Sequence, residues 1–281
     1  MQFRASREVG LDSEIETPPN GTSRDVASIA LRPVLHVWLT AGVLLLLSIF
    51  SIAILDHISS GFISTHSIPD ELSDLLQAAE HFGTPYGAVL ILVTVWLTHP
   101  ALRSRVSRTF FAAVAGGLLA DLVKLCVSRT RPKAFDFDQS IWSSFTGAFQ
   151  WGAGGSKHQG FPSAHTAFAI AFGVMLGELF PKARRWFWCL GALVACQRVA
   201  TLAHFPSDVL AGAAVGLLTA RYFLGTTPMG LAYDRMERYY FPEQCQDQVG
   251  ALAAQALPSS NSPPTGLTPV GMVRAEAARS L

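Results

Sequence analysis

Long apolar runs broken by short polar stretches dominate this chain. From about Val34 to Leu55 almost every position is apolar, Leu44 to Leu47 among them, and about twenty such residues cross a hydrocarbon core of roughly 30 Å. That is the first predicted span. Further apolar runs begin near Pro85, Thr109, Ala164, Trp186 and Asp208 and end near Thr98, Val127, Phe180, Leu202 and Leu224. Between the first two spans, Pro69-Asp70-Glu71 precedes Leu72, Leu75, Leu76 and Ala79 at helical spacing, which predicts a short amphipathic helix lying along the membrane surface. The fold expected is all-α: a polytopic membrane protein with a six-helix bundle and one surface helix in the first outer loop.

Polar patterning sets the boundaries. Residues 1–33 mix charged and small residues with Pro18 and Pro19 and show no period, so they read as a flexible tail; 34–224 hold the membrane domain; 225–281, with Pro258, Pro263 and Pro264, read as a largely disordered tail with a short interfacial helix at Tyr233 to Tyr240. About thirty polar residues before the first apolar run argue against a signal peptide, making that run an uncleaved anchor. Lysines and arginines outside the spans gather on one side: Arg24 and Arg32, then Arg103, Arg105 and Arg108, then Lys182, Arg184 and Arg185, then Arg221, Arg235 and Arg238. By the positive-inside rule that side, with both termini, is cytoplasmic, as expected of a multi-pass protein of the cell membrane.

Composition agrees with the bilayer: half of the 281 residues are hydrophobic, only 15% are charged, and the net charge of +1 gives no reason to expect nucleic acid. Cys126, Cys189, Cys196 and Cys245 form no metal-ligand spacing and read as small buried residues. The aromatic segment Phe135, Phe137, Trp142, Phe145, Phe149 and Trp151 reads equally well as a substrate-access lip and as a passive surface loop.

Three polar clusters fall on the non-cytoplasmic side. Lys124 and Arg131, seven residues apart, share a face if the third helix persists to Pro132, and together they offer enough N–H donors to cradle a doubly charged phosphate. Pro162-Ser163-Ala164-His165 opens the fourth span, where free backbone N–H groups favour an anion and Ser163 is the expected N-cap. Arg198 adds a bidentate fork at the end of the fifth span, followed by His204 and by Asp208 in the first turn of the sixth. One cradle with two histidines suggests a division of labour: His204 attacks phosphorus, His165 protonates the departing oxygen, and Asp208 fixes the His204 tautomer. The cationic side chains neutralise the phosphate, so neither metal nor cofactor is expected. Asp121, three residues before Lys124, reads as its ion-pair partner; Lys157 and His158 read as solvated loop residues; His57, His66 and His81 have no partner pattern.

Lys124-Leu-Cys-Val-Ser-Arg-Thr-Arg131-Pro132 fits Lys-x6-Arg-Pro, Pro162-Ser163-Ala164-His165 fits Pro-Ser-Gly-His, and Arg198-x5-His204-x3-Asp208 fits Ser-Arg-x5-His-x3-Asp. From about Asp56 to Leu224 the chain resembles the type 2 phosphatidic acid phosphatases of the haloperoxidase-related superfamily. The resemblance implies a metal-independent membrane phosphatase for a lipid phosphomonoester or diphosphate, working through a phosphohistidine on the non-cytoplasmic face. It assigns phosphate binding to Lys124, Arg131, Ser163, Ala164 and Arg198, acid catalysis to His165, nucleophilic attack to His204 and its support to Asp208. Ala164 stands where the family has glycine and Gln197 where it has serine, and neither change removes a catalytic group. A phosphotransferase using the same intermediate and a non-catalytic phospholipid carrier are the alternatives; the particular lipid and the oligomeric state stay open.

Overall fold

The structure, a computed structural model, describes residues 23–66, 68–149 and 155–244. Eight α-helices carry the described chain: α1 (Ser23–Thr65), α2 (Asp70–Glu80), α3 (Pro85–Thr98), α4 (Arg103–Cys126), α5 (Ala164–Leu179), α6 (Arg184–Ala200), α7 (Pro206–Tyr222) and α8 (Pro228–Tyr240). The amphipathic helix expected after Pro69 is α2, and the apolar runs are α1 and α3 to α7. Local chemistry explains most of the starts. Thr84 caps α3 and Thr227 caps α8 by accepting from Gly87 and Gly230 N–H groups, each with proline at the first helical position. Asp70 and Glu71 complement the dipole of α2.

Helix α5 lies at the centre and packs against α4, α6 and α7, while α1 runs along α7. Alanine and glycine make these close approaches possible: Ala167, Ala169, Ala171, Ala211 and Ala214 are buried, and a Cβ on Gly216 would stand 2.3 Å from the Ala167 carbonyl oxygen. The outward faces are apolar instead. Leu46, Ile49, Leu90, Leu97 and Leu118 are exposed on α1, α3 and α4, as lipid-facing positions require.

Two helices, His36–Thr65 and Pro100–Cys126, are long and apolar enough to cross a bilayer, and Asp70–Gly83 with Pro85–Thr98 make a third if this pair, bent by 73°, is one span. The expected six spans are not all met by length, because α5, α6 and α7 have 16, 17 and 17 residues, and at 1.5 Å per residue they reach only about 25 Å. The fold is mostly helical but not wholly so. Helix α4 stops at Cys126, and strands β1 (Val127–Arg129) and β2 (Phe145–Ala148) pair antiparallel. Proline explains why the helix does not persist to Pro132: its ring excludes the preceding residue from helical backbone, and Arg131 sits at φ −71°, ψ 150°.

At the termini, α1 already begins at Ser23, inside the tail expected to be flexible, and α8 begins at Pro228. Residues 1–22 and 245–281, with most of both expected tails and Cys245, lie outside the described residues, as does Trp151. Cys189 and Cys196, expected to be buried, are exposed on α6.

Candidate active site

The first turn of α5, the end of α6, the turn into α7 and the segment after α4 meet at one end of the bundle. Backbone hydrogen bonds fix the meeting: Ser163 N–H donates to the Asp208 carbonyl (3.0 Å), Arg131 N–H to Lys157 (2.9 Å), and Lys133 N–H to Leu202 (3.0 Å). The turn after α6 tightens at Leu202, whose φ of 54° is left-handed, so that His204 N–H reaches back to the Arg198 carbonyl at 3.0 Å. The side chains gather accordingly. His165 interacts electrostatically with Arg198, Glu80, His204 and Lys124, and Arg131 with Asp208 and Asp121.

Each group of the three sequence clusters has a definite environment. Lys124 Nζ donates to Asp121 Oδ1 at 2.8 Å, the ion pair expected from their spacing. Arg131 Nε is buried without a hydrogen-bond partner among the described residues, an unusual state for a guanidinium N–H. Burial pushes the Arg131 guanidinium below its ordinary value, opposed by the charges of Asp208 and Asp121. Ser163 caps α5, its Oγ accepting from the Thr166 N–H (3.4 Å) and hydroxyl (3.0 Å). Ala164 follows at the first position of the helix.

Arg198 is held from two sides. Its Nε donates to Gln197 Oε1 (2.6 Å) and its Nη2 to Glu80 Oε1 (2.7 Å), while Gln197 Nε2 donates to Glu80 Oε2 (2.8 Å). The ring of three side chains closes because position 197 carries an amide that both donates and accepts. Glu80 Oε1 also stands 3.9 Å from His165 Nε2, so the end of α2 delivers a carboxylate to the site. Sequence reasoning passed over Glu80, whose only signal was an unpaired acid ending an amphipathic helix.

His204 is buried, and its Nδ1 lies 2.6 Å from the Gly160 carbonyl oxygen. A carbonyl only accepts, so Nδ1 carries the proton and Nε2 keeps its lone pair. The sequence reading gave this orienting contact to Asp208. In the structure Asp208 Oδ2 is 3.7 Å from Nδ1 and accepts instead from Phe205 N–H at 2.8 Å. Its other oxygen is taken by Arg129, whose Nη1 lies 2.5 Å away. The Gly160 carbonyl is therefore the nearer partner of Nδ1, with the Asp208 carboxylate standing behind it. Burial pushes the His204 imidazole below the ordinary histidine value; Asp208 pulls it back, and Lys124 and Arg131 lower it further.

The aromatic segment divides. Phe135 stands edge-on to Phe205 at 5.9 Å and Phe145 covers Arg129, whereas Trp142 and Phe149 are exposed. A cleft of about 190 Å³, lined by Pro85, Val114, Gly117, Leu118, Phe168 and His165, opens beside the imidazole between α3, α4 and α5. Roomier clefts lie elsewhere, one of about 400 Å³ at the far ends of α5 and α7 beside Glu178 and Arg221.

The PAP2 superfamily model matches residues 105–229, a stretch that contains all three clusters in order. That stretch is similar to the PAP2 superfamily. Lipid A 1-phosphatase of Rhizobium johnstonii is 38% identical over 119 residues, 41% of this chain and 46% of that protein. Lipid A 1-phosphatase of Rhizobium etli is 36% identical over 116 residues, 40% of this chain and 47% of that protein. The chain thus matches about half the length of these curated relatives. The crystal structure of Aquifex aeolicus LpxE aligns with a TM-score of 0.44 and 18% identity, covering 58% of this chain and 90% of that one. Glu80 lies before the matched stretch, so a helix that precedes it also reaches the site.

Proposed function

We propose that this chain is an integral-membrane lipid phosphatase that hydrolyses a lipid phosphomonoester or diphosphate through a phosphohistidine. The observation that carries the reading is the state of His204: buried, its Nδ1–H given to the Gly160 carbonyl, its Nε2 without a hydrogen-bond partner among the described residues, and Lys124 and Arg131 within electrostatic reach. The Nε2 lone pair attacks phosphorus as the phosphorus–oxygen bond to the lipid breaks, and the departing oxygen takes its electron pair and a proton from His165. His165 then removes a proton from water, whose oxygen attacks phosphorus. The phosphorus–nitrogen bond breaks, its electrons return to Nε2, and inorganic phosphate leaves. Lys124, Arg131 and Arg198, with the Ser163 hydroxyl and the Ala164 N–H at the start of α5, hold the phosphoryl oxygens. Asp208 supports the imidazolium character of His204 by charge.

The largely apolar cleft beside His165, with Asp121 its one carboxylate, supports a substrate whose hydrocarbon part lies in the bilayer. Six membrane-crossing elements are part of this reading, with the short α5 to α7 spanning a locally thinned or tilted arrangement and α2 resting at the surface. The arginine-rich ends at 103–108 and 182–185 are cytoplasmic, as are the N-terminal tail at 1–33 and the C-terminal tail at 225–281; the site faces the other side. The names of the Rhizobium relatives make the 1-phosphate of lipid A the first substrate to test.

The experiment is phosphate release by the purified chain from lipid A 1-phosphate, phosphatidate, phosphatidylglycerol phosphate and a polyprenyl diphosphate, against His204→Ala. Removing a covalent nucleophile is expected to lower turnover by about 10³-fold or more while the protein still inserts into membranes. Normal turnover by His204→Ala, or no release from any of the four lipids, overturns the reading.

A further inference from the structure

Two residues before Arg131 lies a second arginine that neither the motif assignments nor the phosphatase chemistry uses. Arg129 is fully buried. Its Nη1 donates to Asp208 Oδ1 (2.5 Å) and Ser207 Oγ (2.6 Å), its Nη2 to Asp56 Oδ2 (2.7 Å), and its Nε to Ser144 Oγ (3.1 Å). Phe145 and Phe205 lie over the guanidinium, with ring centroids 4.5 and 4.3 Å from Cζ. Two aromatic faces and two carboxylates leave the group no freedom to swing toward a ligand.

Arg129 also acts through its backbone. Its carbonyl accepts from Gly160 N–H at 2.9 Å, and Gly160 is the residue whose own carbonyl receives the His204 Nδ1–H. A Cβ on Gly160 would stand 2.9 Å from that same Arg129 oxygen, so only glycine lets the two backbones approach this closely. One residue thus grips both orienting partners of His204, Gly160 by a carbonyl and Asp208 by a guanidinium. The counter-charge comes from α1: Asp56, also buried, accepts from Ser51 Oγ (2.9 Å) and Ser207 N–H (2.9 Å) and ties the first helix to the start of α7.

We propose that Arg129, neutralised by Asp56 of α1, is the positioning residue that holds His204 for attack. Asp56 and Arg129 do not touch substrate; they set where Asp208 and, through it, the imidazole stand. The proposal rests on the reading of His204 as nucleophile, and its test separates the two.

Arg129→Met strands two buried carboxylates and risks misfolding, so the decisive variant is Arg129→Met with Asp56→Asn, which removes one charge of each sign. Two measurements apply to it and to the otherwise wild-type full chain in nanodiscs. The first is the kcat against KM split for a lipid phosphate that the wild type hydrolyses. The second is the ring ¹⁵N spectrum of labelled histidine, with the His204 signals identified by their loss in His204→Ala. The expected result is a kcat at least 30-fold lower with KM within threefold of wild type. The His204 ring signals are also expected to shift in the double variant, because Asp208 loses the guanidinium that holds it, although the melting temperature stays near wild type. A kcat within threefold of wild type, or a His204 ring signal unchanged by the double substitution, overturns the proposal. If the wild type releases no phosphate from any lipid, the phosphatase reading fails, and the ring signal alone then decides whether Arg129 positions His204.

Discussion

Arg129 and Arg131 are the same residue type two positions apart, and the fold has put them in opposite states. Arg129 is saturated: two carboxylates, two hydroxyls and two phenyl faces surround it. Arg131 has a buried Nε with no hydrogen-bond partner among the described residues. A guanidinium whose donors are satisfied inside the fold holds structure in place, whereas one left short in a cluster of cations is poised to take an anion. The difference teaches that like charges two residues apart are not interchangeable: the fold satisfies one and leaves a donor of the other open among the described residues.

The strongest way to break this comparison is to remove each arginine in turn. Arg131→Met is expected to lower kcat/KM by about 10² to 10³-fold, the usual effect of losing one donor aimed at developing charge, with the melting temperature unchanged. Arg129→Met without its compensating partner is expected to cost about 3–5 kcal/mol of stability, because two buried carboxylates are left facing one another. Chemical denaturation alongside phosphate release measures both. Equal stability losses from the two substitutions would erase the distinction.

A smaller effect concerns pH. Burial is the leading influence on His204 and disfavours the imidazolium, with Lys124 and Arg131 acting in the same direction and Asp208 against them. His204 is thus neutral at pH 7, as a nucleophile would have to be, and its protonation midpoint lies on the acid side of the ordinary histidine value of about 6.5. Following the His204 ring resonance against pH checks this; a midpoint above that value would mean that the Asp208 carboxylate outweighs burial. The smallest effect sharpens the same contrast. Asp121 is a largely exposed partner of Lys124, and exposed ion pairs contribute little, about 0–1 kcal/mol. Asp121→Asn is accordingly expected to change kcat/KM less than about fivefold, measured in the same release assay.

Much of the frame was legible in the sequence. Apolar runs located α1 and α3 to α7, Pro69-Asp70-Glu71 announced α2, and Ser163 was read as the cap that it is. Three polar clusters, given only residue types and spacings, were expected to converge, and Lys124, Arg131, His165, Arg198, His204 and Asp208 do come together. Other features were hidden. Nothing in the local pattern said that α4 would give way to a strand at Val127, although Pro132 already excluded a helix through Arg131. Asp56 looked like the polar end of a span, and Glu80 like the end of a surface helix.

By itself the sequence determined the helical character, the bilayer-facing composition and the order of the site-bearing segments, because period, capping and apolar length are local properties written residue by residue. Only the tertiary structure decided that the His204 proton goes to Gly160 and not to Asp208, that Arg129 is locked while Arg131 Nε has no partner among the described residues, and that α1 sends Asp56 to Arg129 and α2 sends Glu80 to Arg198. Each of those outcomes is a competition for one hydrogen-bond partner among groups from distant parts of the chain, and packing settles such competitions where spacing is silent.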